Sequence, residues 1–137
     1  MAEALFQVEV VSPERPLFRG AAAAVVAEAH DGEVGILPGH APLMALLGTG
    51  VVRVKAEGLR ETSERFAVRG GFLQVLGKKV TLLVTQAIRA AEVDAPKARA
   101  ALEKVLGELQ HPKSDGDFAR LLDERRFLEA QLRLAGK

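Results

Sequence analysis

No cysteine, tyrosine or tryptophan occurs in this chain of 137 residues. Without cysteine there is no disulfide, no thiolate metal site and no thiol nucleophile, which fits a reducing compartment. The aromatic residues are six phenylalanines, so stacking platforms interleaved with basic residues are missing. No apolar run is long enough to span a bilayer, and direct bilayer insertion is not expected. Residues 1–10 hold Glu3 and no basic leader before an apolar run, which argues against a secretory signal. Net charge is only +1. Up to Ala90 there are ten Lys/Arg against nine Asp/Glu, and beyond it nine against nine. Neither part is a basic patch, so nucleic acid is not expected as a partner. There is no Gly-x-Ser-x-Gly and no phosphate loop ending in Gly-Lys-Ser/Thr.

What is present divides near residue 89. Residues 4–90 read as short strands punctuated by turns. Phe6, Val8 and Val10 alternate with Gln7 and Glu9, and Ser12-Pro13-Glu14-Arg15-Pro16 turns a corner. Leu17-Phe18 and Ala21–Ala29 continue as strand, since Gly20 and Asp31-Gly32 bound the alanine run and Val25-Val26 are β-branched. Val51–Lys55 follows Gly48 and Gly50. Glu57-Gly58-Leu59-Arg60 reads as a hairpin turn before Arg65–Val68, and Gly70-Gly71 separates that strand from Phe72–Leu76. Gly77-Lys78 turns into Val80–Thr85. Closely spaced strands of this kind predict an antiparallel β-sandwich or flattened barrel over residues 1–88. The connections leave no room for crossover helices, so a parallel sheet is excluded.

The densest stretch is Gly32–Leu43. Gly35, Pro38, Gly39 and Pro42 punctuate Val34, Ile36, Leu37 and Leu43, with Glu33 and His40 between them. Glycine supplies unusual backbone angles and proline fixes its own. The run predicts a shaped loop with short strand pieces, a common form of binding surface. His30, Asp31, Glu33 and His40 are types that bind metal or move protons, which would suit a small enzyme. Their spacing matches no ligand motif, and a solvated turn with a structural His40 is the simpler reading, with no metal.

From Ala90 the apolar period becomes helical. Asp94 suits an N-cap, and Pro96 falls in the first turn. Ala98, Leu102, Val105, Leu106 and Leu109 share one face. His111–Gly116 breaks the helix, and Phe118, Leu121, Leu122, Leu128 and Leu132 form a second stripe. Residues 89–137 thus predict an antiparallel helical hairpin, making the chain α+β. The second stripe also holds Arg125 and Glu129, while Phe127 and Leu134 lie behind it. Two readings fit: a thin helix with snorkelling edge residues, or a helix with two docking modes that use different faces.

This order of features resembles the epsilon subunits of F-type ATP synthases. The likeness rests on Val11-Ser12-Pro13-Glu14, on Asp31–Leu43, on Gly50-Val51-Val52-Arg53-Val54 and on Phe66–Leu73. It implies a non-catalytic part of the central stalk, peripheral on the cytoplasmic face of a bacterial cell membrane. Gly32, Glu33 and Val34 match the family loop that meets the membrane rotor ring. His40, Ala41, Pro42, Leu43 and Met44 match the region facing the gamma subunit. The helical tail in this family can lie on the sandwich or extend along gamma, and extension restrains ATP hydrolysis. Arg120, Arg125, Arg126 and Arg133 would then meet acidic surfaces of the catalytic head; otherwise they are a solvated mixed-charge face.

Some family members bind ATP through an aliphatic-Asp-x-x-Arg-Ala motif. Val93-Asp94-Ala95-Pro96-Lys97-Ala98 matches it except at Lys97. Lysine cannot reproduce the planar guanidinium fork. Asp94 and Lys97, helped by Arg99, Arg125 and Arg126, would form such a site, making ATP a regulatory ligand. The simpler reading of Asp94 is a plain N-cap, with no cofactor.

Overall fold

The computed structural model describes residues 5–29, 31–56 and 64–136. They form β1 (Phe6–Val11), β2 (Pro16–Ala29), β3 (Gly32–Ile36), β4 (Leu43–Ala56), β5 (Glu64–Leu76) and β6 (Lys79–Arg89). A 3-10 turn at Ala90–Glu92 leads to α1 (Ala95–Glu108) and α2 (Asp115–Ala135). The expected hairpin turn Glu57–Arg60 and His30 lie outside the described residues.

The strand order is β1-β6-β5-β4-β2-β3, and β1 also pairs with β2, so all but β3 close into a ring. β1 lies along the first half of β2, from Val11↔Pro16 to Phe6↔Ala22. β3 takes up the same edge further on, from Val25↔Ile36 to Ala29↔Gly32. The expected flattened barrel is therefore present, with one correction. β1 and β6 run parallel, from Gln7↔Lys79 to Val11↔Leu83, although a parallel pairing was excluded on connection length. The crossover argument holds for neighbours in an open sheet. Here the intervening strands carry the chain around the barrel and bring it back beside β1.

Alternation explains the core. Val8, Val10, Val52, Val54, Phe66 and Val68 point inward and are almost wholly buried. Two expected breaks are not breaks. β4 begins at Leu43 and passes through Gly48 and Gly50, and β5 passes through Gly70-Gly71. The ladder continues across the second pair, with Gly71↔Val84. Gly71 has φ +124, and a Cβ there would come within 2.8 Å of Val84 Cα. Glycine here lets two backbones touch and keeps the strand going.

The hairpin forms as its caps predict. Asp94 Oδ1 accepts from the Lys97 N–H at 3.1 Å, and the Ser114 hydroxyl accepts from the Asp117 N–H at 3.0 Å. Ala98 and Val105 of α1 pack on Leu121 and Leu128 of α2. Leu106 and Phe118, expected on the stripes, are 40% and 43% exposed. Leu106 lies about 100° around the helix from the buried Val105, and Phe118 sits in the first turn of α2, at the loop end of the hairpin.

The apolar residues behind the second stripe are also explained. Phe127, Ala130 and Leu134 pack on Val51 and Ala67, which face outward from β4 and β5. One side of α2 meets α1 and the other meets the sheet, in a single arrangement. Neither a second docking mode nor snorkelling is needed to account for these residues. Arg125 and Glu129 lie between the two faces and pair with each other at 3.1 Å.

Candidate functional site

Three surfaces concentrate the binding chemistry. The first is the Gly32–Met44 stretch. β3 lies at the end of the strand order, paired with β2. Glu33 is exposed on it and forms an ion pair with Arg53 of β4 at 3.1 Å. Val34 is half-buried against the core. The His40 N–H donates to the Leu37 carbonyl at 3.1 Å, closing a turn through Pro38 and Gly39, where φ is +88. Proline followed by a positive-φ glycine is the type II pattern, so the bend is set by the backbone. His40 Nδ1 lies 2.7 Å from the Ala41 carbonyl, and Ala41 and Pro42 are exposed. Leu43 and Met44 already belong to β4; Leu43 packs toward the core and Met44 is 65% exposed. Among the described residues, no group of three or more His, Asp or Glu is placed to hold a metal ion.

The second surface was missed by sequence reasoning. Leu46 pairs with Phe72 across β4 and β5, Phe72 with Leu83 across β5 and β6, and Leu83 with Val11 across β6 and β1. These four apolar residues form one row on the outside of the barrel, continuous with Met44. Leu46, Phe72 and Leu83 are each at least half exposed. Met44, Phe72 and Leu83 line a groove of about 250 Å³. A contiguous apolar row on a soluble surface marks an interaction site. The signal was available in apolar doublets, Val10-Val11, Leu46-Leu47, Phe72-Leu73 and Leu82-Leu83. In a strand, one member of each doublet faces in and the other out.

The third surface joins the hairpin to the barrel. Arg69 of β5 donates to both carboxylate oxygens of Glu124 at 2.7 Å. It also reaches Asp123 at 3.4 Å and lies over the Phe127 ring, 4.7 Å from its centroid. Asp123 accepts from the Thr49 hydroxyl as well. Charge-assisted bonds to one guanidinium are the strong class, and burying Phe127 and Leu134 adds roughly 1.5–3 kcal/mol each. Arg133 near the end of α2 pairs with Glu28 at 3.4 Å, and Glu28 also accepts from the Val51 N–H at 2.8 Å.

A second clamp holds the linker. The Ser12 hydroxyl donates to the Arg15 carbonyl at 3.0 Å and fixes the β1–β2 corner. From there Arg15 donates to both Glu92 oxygens, at 2.9 and 2.7 Å. The Arg89 N–H also donates to Glu92, at 3.0 Å. The Arg15 side chain, then the Arg89 backbone, hold the Glu92 carboxyl down to about 2, well below its ordinary 4.5.

The residues offered for nucleotide do not share a site through their contacts. The Asp94 carboxylate caps α1 by accepting from the Lys97 backbone, and Arg125 is paired with Glu129. Lys97, Arg99 and Arg126 are exposed.

Comparison with known proteins agrees with this geometry. The family described as "ATP synthase, Delta/Epsilon chain, beta-sandwich domain" matches residues 5–90. The chain is similar to an ATP synthase epsilon chain of Solibacter usitatus, 40% identical over 131 residues, covering 96% of each. It is likewise similar to one of Bordetella petrii, 42% identical over 135 residues, covering 98% of this chain and 94% of the relative. Among solved structures, a chain of the Euglena gracilis mitochondrial ATP synthase (OSCP/F1/c-ring) shares the fold at TM-score 0.84 and 23% identity, covering 100% of this chain and 84% of that one. A chain of the Tetrahymena thermophila mitochondrial ATP synthase (central stalk/c-ring) does so at TM-score 0.70 and 12% identity, covering 97% of this chain and 98% of that one.

Two outcomes are expected. Arg69→Ala removes the charge-assisted bonds to α2 at a cost of about 2 kcal/mol. Amide exchange across residues 118–134 should then quicken by about 30-fold, while the barrel core stays protected. The pH test concerns Glu92. Its folded value is depressed, so its contribution is present above about 4.5 and is lost as pH falls toward about 2. Thermal unfolding should show the wild type more stable than Glu92→Gln at pH 6, with the gap closing through that acid window.

Proposed function

Since this chain belongs to the ATP synthase epsilon-chain family, we propose that it is a non-catalytic central-stalk subunit that couples the gamma subunit to the membrane rotor ring. The observation that carries the reading is the open apolar row from Val11 through Leu83 and Phe72 to Leu46. It needs a large apolar partner, and the His40–Met44 edge beside it adds a backbone-fixed rim. Gamma fits that surface. Met44 suits an uneven partner, because methionine adapts its shape.

The rotor ring would meet Gly32, Glu33 and Val34. An exposed pair such as Glu33–Arg53 contributes only about 0–1 kcal/mol, so Glu33 can exchange Arg53 for a cation on the ring at little cost. In this reading residues 1–88 dock and residues 89–137 regulate. The hairpin rests on the barrel through Arg69 and Phe127. Its release would free Arg133 from Glu28 and carry it, with Arg120, Arg125 and Arg126 of the same helix, to acidic surfaces of the catalytic head, restraining hydrolysis. The subunit sits peripherally on the cytoplasmic face of a bacterial membrane; among the described residues, no helix is long and apolar enough to cross one.

Phe72→Glu should weaken capture of purified gamma by at least about 30-fold, as expected for a central interface anchor, with the unfolding midpoint little changed. Undiminished capture would move the gamma contact elsewhere. Deleting residues 90–137 should raise ATP hydrolysis by the reconstituted complex while leaving assembly intact. Unchanged hydrolysis would mean that this tail is not inhibitory.

A further inference from the structure

Where the end of α2 lies against β4 and β5, a pocket of about 550 Å³ opens to solvent. Arg53, Arg65 and Arg133 line it, with Val51, Leu132 and Leu134 as an apolar wall. The sequence does not display this convergence, because the three arginines lie far apart along the chain. Arg53 and Arg65 are direct partners in the β4–β5 ladder. Like charges placed opposite each other on one face destabilise a sheet. The fold then adds a third guanidinium from α2.

Local carboxylates answer only part of this charge. Arg53 bonds to Glu33 through one terminal nitrogen, and Arg133 reaches Glu28 at 3.4 Å. The Arg65 side chain has no ion-pair or hydrogen-bond partner among the described residues. A guanidinium offers five donors in a rigid fork that matches phosphate oxygens two at a time. Three such forks around one cavity suit an anion with several charges better than a single carboxylate.

We propose that this pocket binds a small, multiply charged phosphate, either free or carried on an ester. Arg65 is its central contact, with Arg53 and Arg133 closing on either side. The site shares no residue with Asp94, Lys97, Arg99, Arg125 and Arg126. Its walls come from both the barrel and α2, so an occupant bridges them and slows release of the hairpin.

The full chain is titrated by calorimetry with pyrophosphate and, separately, with ATP, at constant ionic strength. Thermal unfolding is followed with each anion and with sodium chloride. Pyrophosphate is expected to raise the midpoint more than sodium chloride does. Arg65→Ala should weaken binding at least tenfold. Without ligand, that variant should be as stable as the wild type or more so, since a like-charge pair is relieved. Arg133→Gln, on the helix side, should weaken binding too and serves if Arg65→Ala fails to fold. Tighter binding of pyrophosphate assigns the free anion, and tighter binding of ATP that Arg65→Ala weakens assigns an ester. The proposal is overturned if neither pyrophosphate nor ATP acts differently from sodium chloride, which would leave the arginines as complements to the negative end of α2. It is equally overturned if binding survives Arg65→Ala but is lost in Asp94→Ala, which would move the ligand to the start of α1.

Discussion

Burial of Phe127, Ala130 and Leu134 against Val51 and Ala67 holds the barrel and the hairpin in one arrangement. The packing partner of α1 is α2, through Ala98, Val105, Leu121 and Leu128, so α1 keeps its position because α2 keeps its own. The Arg69 contacts work on the same seam. Their bonds to Glu124 and Asp123 orient α2, and the guanidinium over Phe127 ties the polar and apolar parts together. Arg69 Nε is buried without a partner, a cost accepted only because the rest of the group is well used. Outside this seam the hairpin is held by the Arg15–Glu92 clamp on its linker and by Arg133 on Glu28.

Much of the fold was legible because its signals are local. Alternation in Phe6–Val10, the Asp94 cap, Pro96 and the helical stripes each act over a few residues, and each appears where expected except that Leu106 and Phe118 of the stripes are exposed. The misses share a different cause. Whether Gly71 ends a strand or lets it touch its neighbour depends on Val84, which is distant in sequence. Whether Phe127 is misplaced or buried depends on Ala67. The parallel meeting of β1 with β6 depends on the barrel closing. In each case the deciding partner was brought in by tertiary structure, where a periodicity argument has no reach.

The candidate site divides the same way. The bend at Pro38-Gly39 and the exposure of Glu33 could be read from residue types alone. The apolar row from Val11 to Leu46 could be read only in part: the doublets give each strand an outward apolar residue, but the four align only once the register is known. Its counterpart further along β4 and β5, Val51 and Ala67, has the same origin and is already covered by α2. One set of outward apolar residues is satisfied within the chain and the other is left open.

The β1–β6 ladder, the pairing that strand-connection reasoning ruled out, has a mechanical meaning. A tube slit along its length twists easily, because the two lips of the slit slide past each other. A tube without a slit resists, since any twist must shear every seam at once. The Gln7–Val11 ladder on Lys79–Leu83 is the stitch that closes the slit. A load applied at the Glu33 end would therefore reach the Leu46–Phe72 face as rotation of the whole barrel and not as distortion of its wall.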